Sequence, residues 1–253
     1  MRISYKPYLL PTLIFSFMLL SCQSNAGLET IITVEQVGAA ATPDRIIPIE
    51  GAPFEIPQLK RPVFPDFTIN IEEKGAKTNI PITSIVNQTI EEISQKGGGT
   101  VIIPKGKWKS GRIVLKSNVN LHLAEGSEIE FPGNAEDYLP AVFTRHEGIE
   151  IMGSGSFIYA NGEDNIAITG KGVIYGPSLD AEIRQRPNGN TVVEKDILDN
   201  APVEKRVFDG MDGRGFYKPK TISPINCTNV LIEGITMERS TFWNVCPIYC
   251  ENV

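Results

Sequence analysis

The chain has 253 residues, enough for one large domain or two small ones with a sizeable core. A formal charge of −6 with a pI near 5.1 argues against nucleic acid as a partner. With 23 glycines, 8% aromatic and 41% hydrophobic residues, the composition suits a turn-rich β protein.

Arg2 and Lys6 supply positive charge, Tyr8 to Leu20 is largely apolar, and the run closes on Leu19-Leu20-Ser21-Cys22. A charged start, a short apolar run and small residues at a cleavage point describe a secretory signal over residues 1–22. The apolar run is shorter than the ~20 residues that a spanning helix needs. Leu19 to Cys22 also resembles a bacterial lipobox, whose cysteine is lipidated and becomes the new N-terminus; the alternative is an ordinary signal with a chance cysteine. Gln23 follows instead of aspartate, so the resemblance implies an outer-membrane lipoprotein facing periplasm or cell surface, tethered through Cys22 without embedding its fold. Residues 23–65 then form an extended spacer, because prolines at 43, 48, 53, 57, 62 and 65 block helix and central strand alike.

The fold is expected to begin at Asp66. Phe67 to Ile71 alternates as a strand and Glu72 to Pro81 is turn-like. Thr83 to Lys96 places Ile85, Ile90 and Ile93 among polar residues, an amphipathic helix with Thr83 or Ser84 as its cap and Gly97-Gly98-Gly99 as its stop. Short strands follow at Thr100–Ile103, Arg112–Leu115, Val119–Leu123 and Glu128–Phe131, with almost no helix between them. This excludes an alternating βαβ chain and leaves a sandwich, a barrel or a parallel coil.

A repeat decides among these. Cys227-Thr228-Asn229-Val230 reappears 23 residues later as Cys250-Glu251-Asn252-Val253. Asn118-Val119 and Asn165-Ile166 open apolar runs in the same way, giving steps of 47, 64 and 23 residues. Short β-type units recurring at 20–50 residues signal a solenoid whose coils bury their apolar faces on one another. The 47-residue step is close to two coils. The 64-residue step needs residues looped out, and the charged segment 177–220, which lacks a sustained period, supplies them. Asparagine suits each opening because it visits the left-handed region and bonds to nearby backbone. The expectation is an all-β parallel β-helix over residues 66–253 with a short N-terminal helix. Because the chain closes on the first residues of a new coil, the solenoid is expected to be cut short at its C-terminal end.

Candidate chemistry is sparse. Past Cys22 the cysteines are Cys227, Cys246 and Cys250, with no Cys-x-x-Cys spacing and with His122 and His146 far away in sequence, so neither a metal site nor a cofactor is expected. Cys227 and Cys250 occupy equivalent positions in adjacent coils, about 4.8 Å apart, where a disulfide is possible and a ladder of buried thiols is the preferred alternative. Asp209 to Arg214 carries paired carboxylates but too few further oxygen ligands for calcium, which favours a solvated loop. Trp243 and Asn244 pair a flat apolar ring with an amide, equipment that suits a sugar; the alternative is that Trp243 fills or caps the core.

The ordered segments from Gly75 to the last residue resemble glycoside hydrolase family 28, the polygalacturonases and rhamnogalacturonan hydrolases. The resemblance is carried by Gly75-Ala76-Lys77, Gly97 to Gly106, Ser110 to Val119, Leu121 to Ile129, Asp137-Tyr138 and Asp164 to Ile174. Three positions depart from the family pattern: Tyr175 where aspartate is common, Lys218-Pro219 where Arg-Pro is usual, and Cys246-Pro247 where many relatives have His-Pro. The first two bear on local packing and Cys246 on a substrate contact, which suggests altered specificity. The resemblance implies a right-handed parallel β-helix acting as a monomer on a pectic polysaccharide, and inverting hydrolysis of its α-linked galacturonide or rhamnogalacturonan chain. Inversion requires an acid and a base roughly 6.5–9.5 Å apart. In the family these lie in Asn-Thr-Asp and Asp-Asp motifs, supported by Gly-His-Gly and Arg-Ile-Lys, and none of the four occurs here. They are expected in coils beyond Val253, which leaves a pectic-chain binding protein or an inactive remnant as the alternatives for this chain alone.

Overall fold

Three parallel sheets are wound by one strand after another into a right-handed β-helix. The computed structural model describes residues 61–253 together with Gly51, Pro53 and Phe54. The expected leader, Cys22 and most of the spacer lie outside these residues. The first sheet contains β1 (Thr68–Asn70), β2 (Gly99–Ile103), β5 (Val119–Leu123), β10 (Asp164–Gly170) and β14 (Thr228–Ile232). The second contains β3 (Gly106–Lys109), β6 (Ser127–Glu130), β11 (Val173–Tyr175) and β15 (Thr236–Glu238). The third contains β4 (Ile113–Val114), β9 (Ser156–Asn161) and β13 (Lys220–Ile225), extended by parallel bridges from Ile222 to Val245 and from Ile225 to Ile248.

Alternation along these strands explains the coil. In β2 and β5 every second side chain is buried, and the in-register partners Val101, Leu121, Ile168 and Ile232 stack along the axis. Trp108, Ile129, Ile174 and Met237 form the matching column of the second sheet. Moving one such aliphatic side chain out of water contributes about 1.5–3 kcal/mol, so the core is the sum of many stacked layers.

The turns are set by the asparagines. Asn118, Asn165, Asn229 and Asn252 all have φ between 53° and 63°, the left-handed bend expected of them. Their carboxamides bond between coils, Asn165 to Asn118 at 3.1 Å and Asn252 to Asn229 at 2.7 Å. This ladder corrects one expectation: the 47 residues between Asn118 and Asn165 form a single coil. The surplus is the antiparallel hairpin of β7 (Val142–His146) and β8 (Ile149–Gly153), inserted between β6 and β9.

Helix α1 (Thr83–Gln95) covers the β4 edge of the third sheet, burying Val86, Thr89, Ile90 and Ile93. Asn87 completes that edge by donating to Arg112 O at 3.0 Å and accepting from Val114 N at 2.8 Å. Neither expected cap is used. Ile82 is the N-cap residue and no side chain caps the helix. The Thr83 hydroxyl accepts from Gly111 N at 2.6 Å, and Ser84 accepts from Gln88 one turn on. The tertiary bond won over the local cap because Ile82 is buried and its amide is fixed to Lys109 O.

The segment 177–220 is not a structureless loop. It forms α2 (Glu182–Gln185), α3 (Asn190–Leu198) and β12 (Val207–Phe208), which adds to β8 in parallel. The hairpin and this segment leave successive coils at the same corner, between the second and third sheets, and build one lateral sheet there. Its small core is Ile151, Val193, Phe208 and Tyr217.

Candidate functional site

At that corner a continuous row of rings joins the insertions to the coil. Phe208 meets Tyr217 at 5.3 Å, Tyr217 meets His146 at 4.1 Å, His146 meets Phe242 at 5.0 Å and Phe242 meets Trp243 at 4.7 Å. Ring pairs at such distances contribute beyond the area they bury. Trp243, at the outer end, is 47% exposed, whereas Trp108 is 1% exposed within the core. Of the alternatives for Trp243, the core-filling one is therefore not observed. Asn244 is exposed beside it, its carbonyl bonded to Ile222 N.

The row is held from several sides. Arg184 of α2 donates to Pro177 O, Ser178 O, Arg239 O and Ser240 O, which pins the start of the insertion to the turn carrying Phe242 and Trp243. Thr241 donates to Pro219 O, and Thr221 shares a hydroxyl bond with Ser240. On the other side Lys220, only 2% exposed, donates to Arg145 O at 2.9 Å and to Thr144 Oγ1 at 3.3 Å, fixing the end of β7 where His146 projects. Burial lowers the Lys220 ammonium below its ordinary range. Arg112 works similarly deeper in the fold, with its guanidinium on the carbonyls of Tyr138, Pro140 and Ser154 and its pKa lowered to about 10 by burial.

A cavity of about 290 Å³ opens against the rings. His146, Tyr217 and Phe242 form its apolar wall, and Asn188, Asn190 and Lys218 supply polar groups. The Tyr217 hydroxyl donates to Asn190 Oδ1 at 3.0 Å, and its pKa is pushed up to about 12 by burial, then by Glu147 and Glu194. His146 is held below the ordinary histidine value by burial and by Lys220, against the pull of Glu147. Close backbone packing shapes the cavity: Gly215 has φ of 120°, and a Cβ there would lie 2.5 Å from Gly189 Cα.

No protein-family model matches the chain. It is 26% identical over 210 residues to an exo-poly-alpha-D-galacturonosidase of Dickeya chrysanthemi, covering 73% of this chain and 34% of that protein. Its fold matches the hyperthermoactive exopolygalacturonase of Thermotoga maritima with a TM-score of 0.69 and 32% identity, over 77% of this chain and 47% of that one. This is a glycoside hydrolase family 28-like protein. The family 28 exopolygalacturonase of Yersinia enterocolitica is also similar, with a TM-score of 0.53 and 26% identity over 74% of this chain and 38% of that one. The chain thus spans between about a third and about half of the length of these relatives.

On this family 28-like scaffold the three departures fall at distinct places. Tyr175 lies under the Arg239 guanidinium at 4.9 Å, and Arg239 in turn pairs with Glu130. Lys218 lines the cavity. Cys246 sits next to β13, its carbonyl accepting from Ser223, with its thiol pushed up by burial against the opposing effect of Lys220 and Arg145. Cys227 and Cys250 are free thiols directed at backbone carbonyls, the ladder preferred over a disulfide. Asp209 and Asp212 accept from backbone amides of their own loop. Among the described residues no three His, Cys, Asp or Glu side chains gather as a metal site.

Sequence reasoning singled out Trp243 and Asn244, which lie exposed at the outer end of the ring row, and Lys218 only as a departure from the family pattern; it did not bring His146, Tyr217, Asn188 and Asn190 together with them. One signal was available. Phe208, Phe216 and Tyr217 are aromatic residues within a stretch otherwise dense in charge, which marks an inward-packed face.

Proposed function

We propose that this chain supplies substrate-holding coils of a pectin-degrading glycosidase, one that hydrolyses α-linked galacturonan or rhamnogalacturonan with inversion. The observation that carries this is the 32% identity to the Thermotoga maritima exopolygalacturonase across 77% of the chain. The exposed Trp243 ring beside Asn244, continuous with the walled cavity, supports it as a place for a sugar. Because none of the four family motifs occurs in the sequence, the chain by itself holds the polysaccharide without cleaving it. Transition-state stabilisation needs charged groups at the reacting bond, and binding alone does not supply them.

Titrating the purified chain with oligogalacturonates in a calorimeter tests the reading. Saturable heat is expected, together with no release of reducing ends. Absence of heat at millimolar ligand would overturn it, and turnover by this chain would overturn the division between holding and cleaving.

The chain is further proposed to act as a monomer tethered to the outer membrane through Cys22, on the strength of Leu19-Leu20-Ser21-Cys22 after the apolar run. A palmitate analogue fed to expressing cells should label the chain, and Cys22→Ser should abolish the label. Labelling that survives the substitution sinks the anchor, and a dimer in sedimentation sinks the monomer.

A further inference from the structure

We infer that Asn188 is a site of covalent self-modification, where the carboxamide closes on the Gly189 amide, loses ammonia and leaves a carboxylate on the cavity wall. The sequence contains two Asn-Gly steps, Asn161-Gly162 and Asn188-Gly189. Such a step is labile because glycine, without a Cβ, lets its amide nitrogen approach the preceding asparagine Cγ. The fold treats the two differently. Gly162 N donates to Ile225 O at 2.9 Å, and Asn161 Oδ1 accepts from Asn226 Nδ2 of the next coil at 3.1 Å. Asn161 is also the last residue of β9, in register with Ile225 of β13. There the attacking nitrogen is engaged, its backbone is held in a ladder, and the carboxamide is turned to another coil.

Asn188-Gly189 has none of these restraints. The Gly189 N–H has no hydrogen-bond partner among the described residues. Asn188 is exposed, so water and hydroxide reach it. Its Oδ1 accepts from Asn190 N at 3.3 Å, which folds the carboxamide back over the Gly189 peptide unit. That donor also polarises the carbonyl at the oxygen that gains charge when a nitrogen adds to Cγ. Asp209 and Asp212 fold back in the same way before Gly210 and Gly213, but a carboxylate has no ammonia to expel and gains no charge.

The step balances with water alone. Gly189 N gives its proton to hydroxide and bonds to Asn188 Cγ; the Cγ–Nδ2 bond breaks and ammonia leaves. Water then opens the cyclic imide at either carbonyl, giving aspartate or isoaspartate. Both products replace an NH2 donor on the cavity wall with a negative charge. Isoaspartate also lengthens the main chain by a methylene, where there is no slack. A Cβ on Gly215 would lie 2.5 Å from Gly189 Cα, and one on Gly189 would lie 2.4 Å from the Phe208 ring. Asn190, whose Oδ1 accepts from Tyr217, follows directly and moves with that segment. The cavity thus carries a timer that starts when the chain is made.

Incubating the freshly purified full chain at mildly alkaline pH, followed by peptide mass spectrometry, tests the assignment. The Asn188 peptide should gain the mass of an amide-to-acid exchange about tenfold faster than the Asn161 peptide, the scale of freeing one bonded backbone amide. In urea both steps should convert at one rate, because the fold no longer distinguishes them. Asn188→Gln, whose longer side chain must close a larger ring, should lack the early acidic form on ion exchange. Native conversion at Asn161 as fast as at Asn188, or an acidic form that persists in Asn188→Gln, overturns the site. The consequence for binding rests on the saccharide reading above and is read separately. The acidic form should bind oligogalacturonate more weakly than the fresh chain, and equal binding overturns the link to the cavity. Binding by neither form overturns the saccharide reading and leaves the modification standing on its mass spectra.

Discussion

At the scale of single residues, function and stability meet at His146. Its ring lies between Tyr217 and Phe242, and burial with Lys220 nearby holds its pKa below 6.5. The folded chain therefore binds this proton more weakly than the unfolded chain does, and protonation opposes folding. The stability in question is fully present above pH 6.5 and is lost as pH falls through the folded-state value. His122 shifts in the same direction through burial alone. Thermal denaturation between pH 7 and pH 5 should show the midpoint falling. His146→Phe, which keeps the ring row without the titrating group, should flatten part of that fall and preserve Trp243 fluorescence. An identical pH profile in the variant would count against the assignment. Residue-level chemistry of this kind was barely legible in the sequence, because His146, Tyr217 and Phe242 are far apart along the chain and only the corner insertions bring them into contact.

At the scale of elements, α1 does for the N-terminal end what each coil does for the next: it covers an edge. The β4 strand has β9 on one side, and on the other Asn87 offers it a carboxamide in place of a backbone partner. Ile90, fully buried on the same helix, should be costly to remove. Ile90→Ala is expected to destabilise the chain by about 3 kcal/mol, the middle of the range for a large-to-small change in a packed core. Urea denaturation checks this, and a loss well under 1 kcal/mol would mean that the helix does not bear on the core. The periodic apolar residues of α1 made it readable, and so did the alternation of β2 and β5. The cap could not be read, because Thr83 bonds to Gly111, a partner 28 residues away. Helix α3 was equally hidden. Only Val193 of its residues is fully buried, so its apolar stripe is too thin to show, and tertiary packing on Ile151, Phe208 and Tyr217 sustains it.

At the scale of the whole described unit, one large core and two small ones share one chain, the second small one being Tyr159, Ile225 and Ile248. The solenoid interior runs from Ile69 to Val230 as a single cluster that also takes in Ile183 and Phe216 of the insertion, whereas the lateral sheet rests on Ile151, Val193, Phe208 and Tyr217. The asparagine ladder explains why the solenoid was legible and the corner was not. A coil must return to register at every turn, which prints a repeat in the sequence, while an insertion has only to leave and come back. The same contrast predicts how the molecule opens. In a stacked array each coil is held by its neighbours, and the laterally attached sheet has fewer buried contacts to lose. Native-state hydrogen exchange should therefore release amides of α3 and β12 well before those of β9 and β13, with peptides resolved by mass spectrometry. A common rate for all four would show that the corner and the coils unfold together. Should the corner open first, bound oligogalacturonate ought to slow its exchange selectively, because the cavity is lined by Asn190 at the start of α3, by Phe216 to Lys218 just before β13 and by His146 at the end of β7. Protection confined to the coils would place the sugar elsewhere.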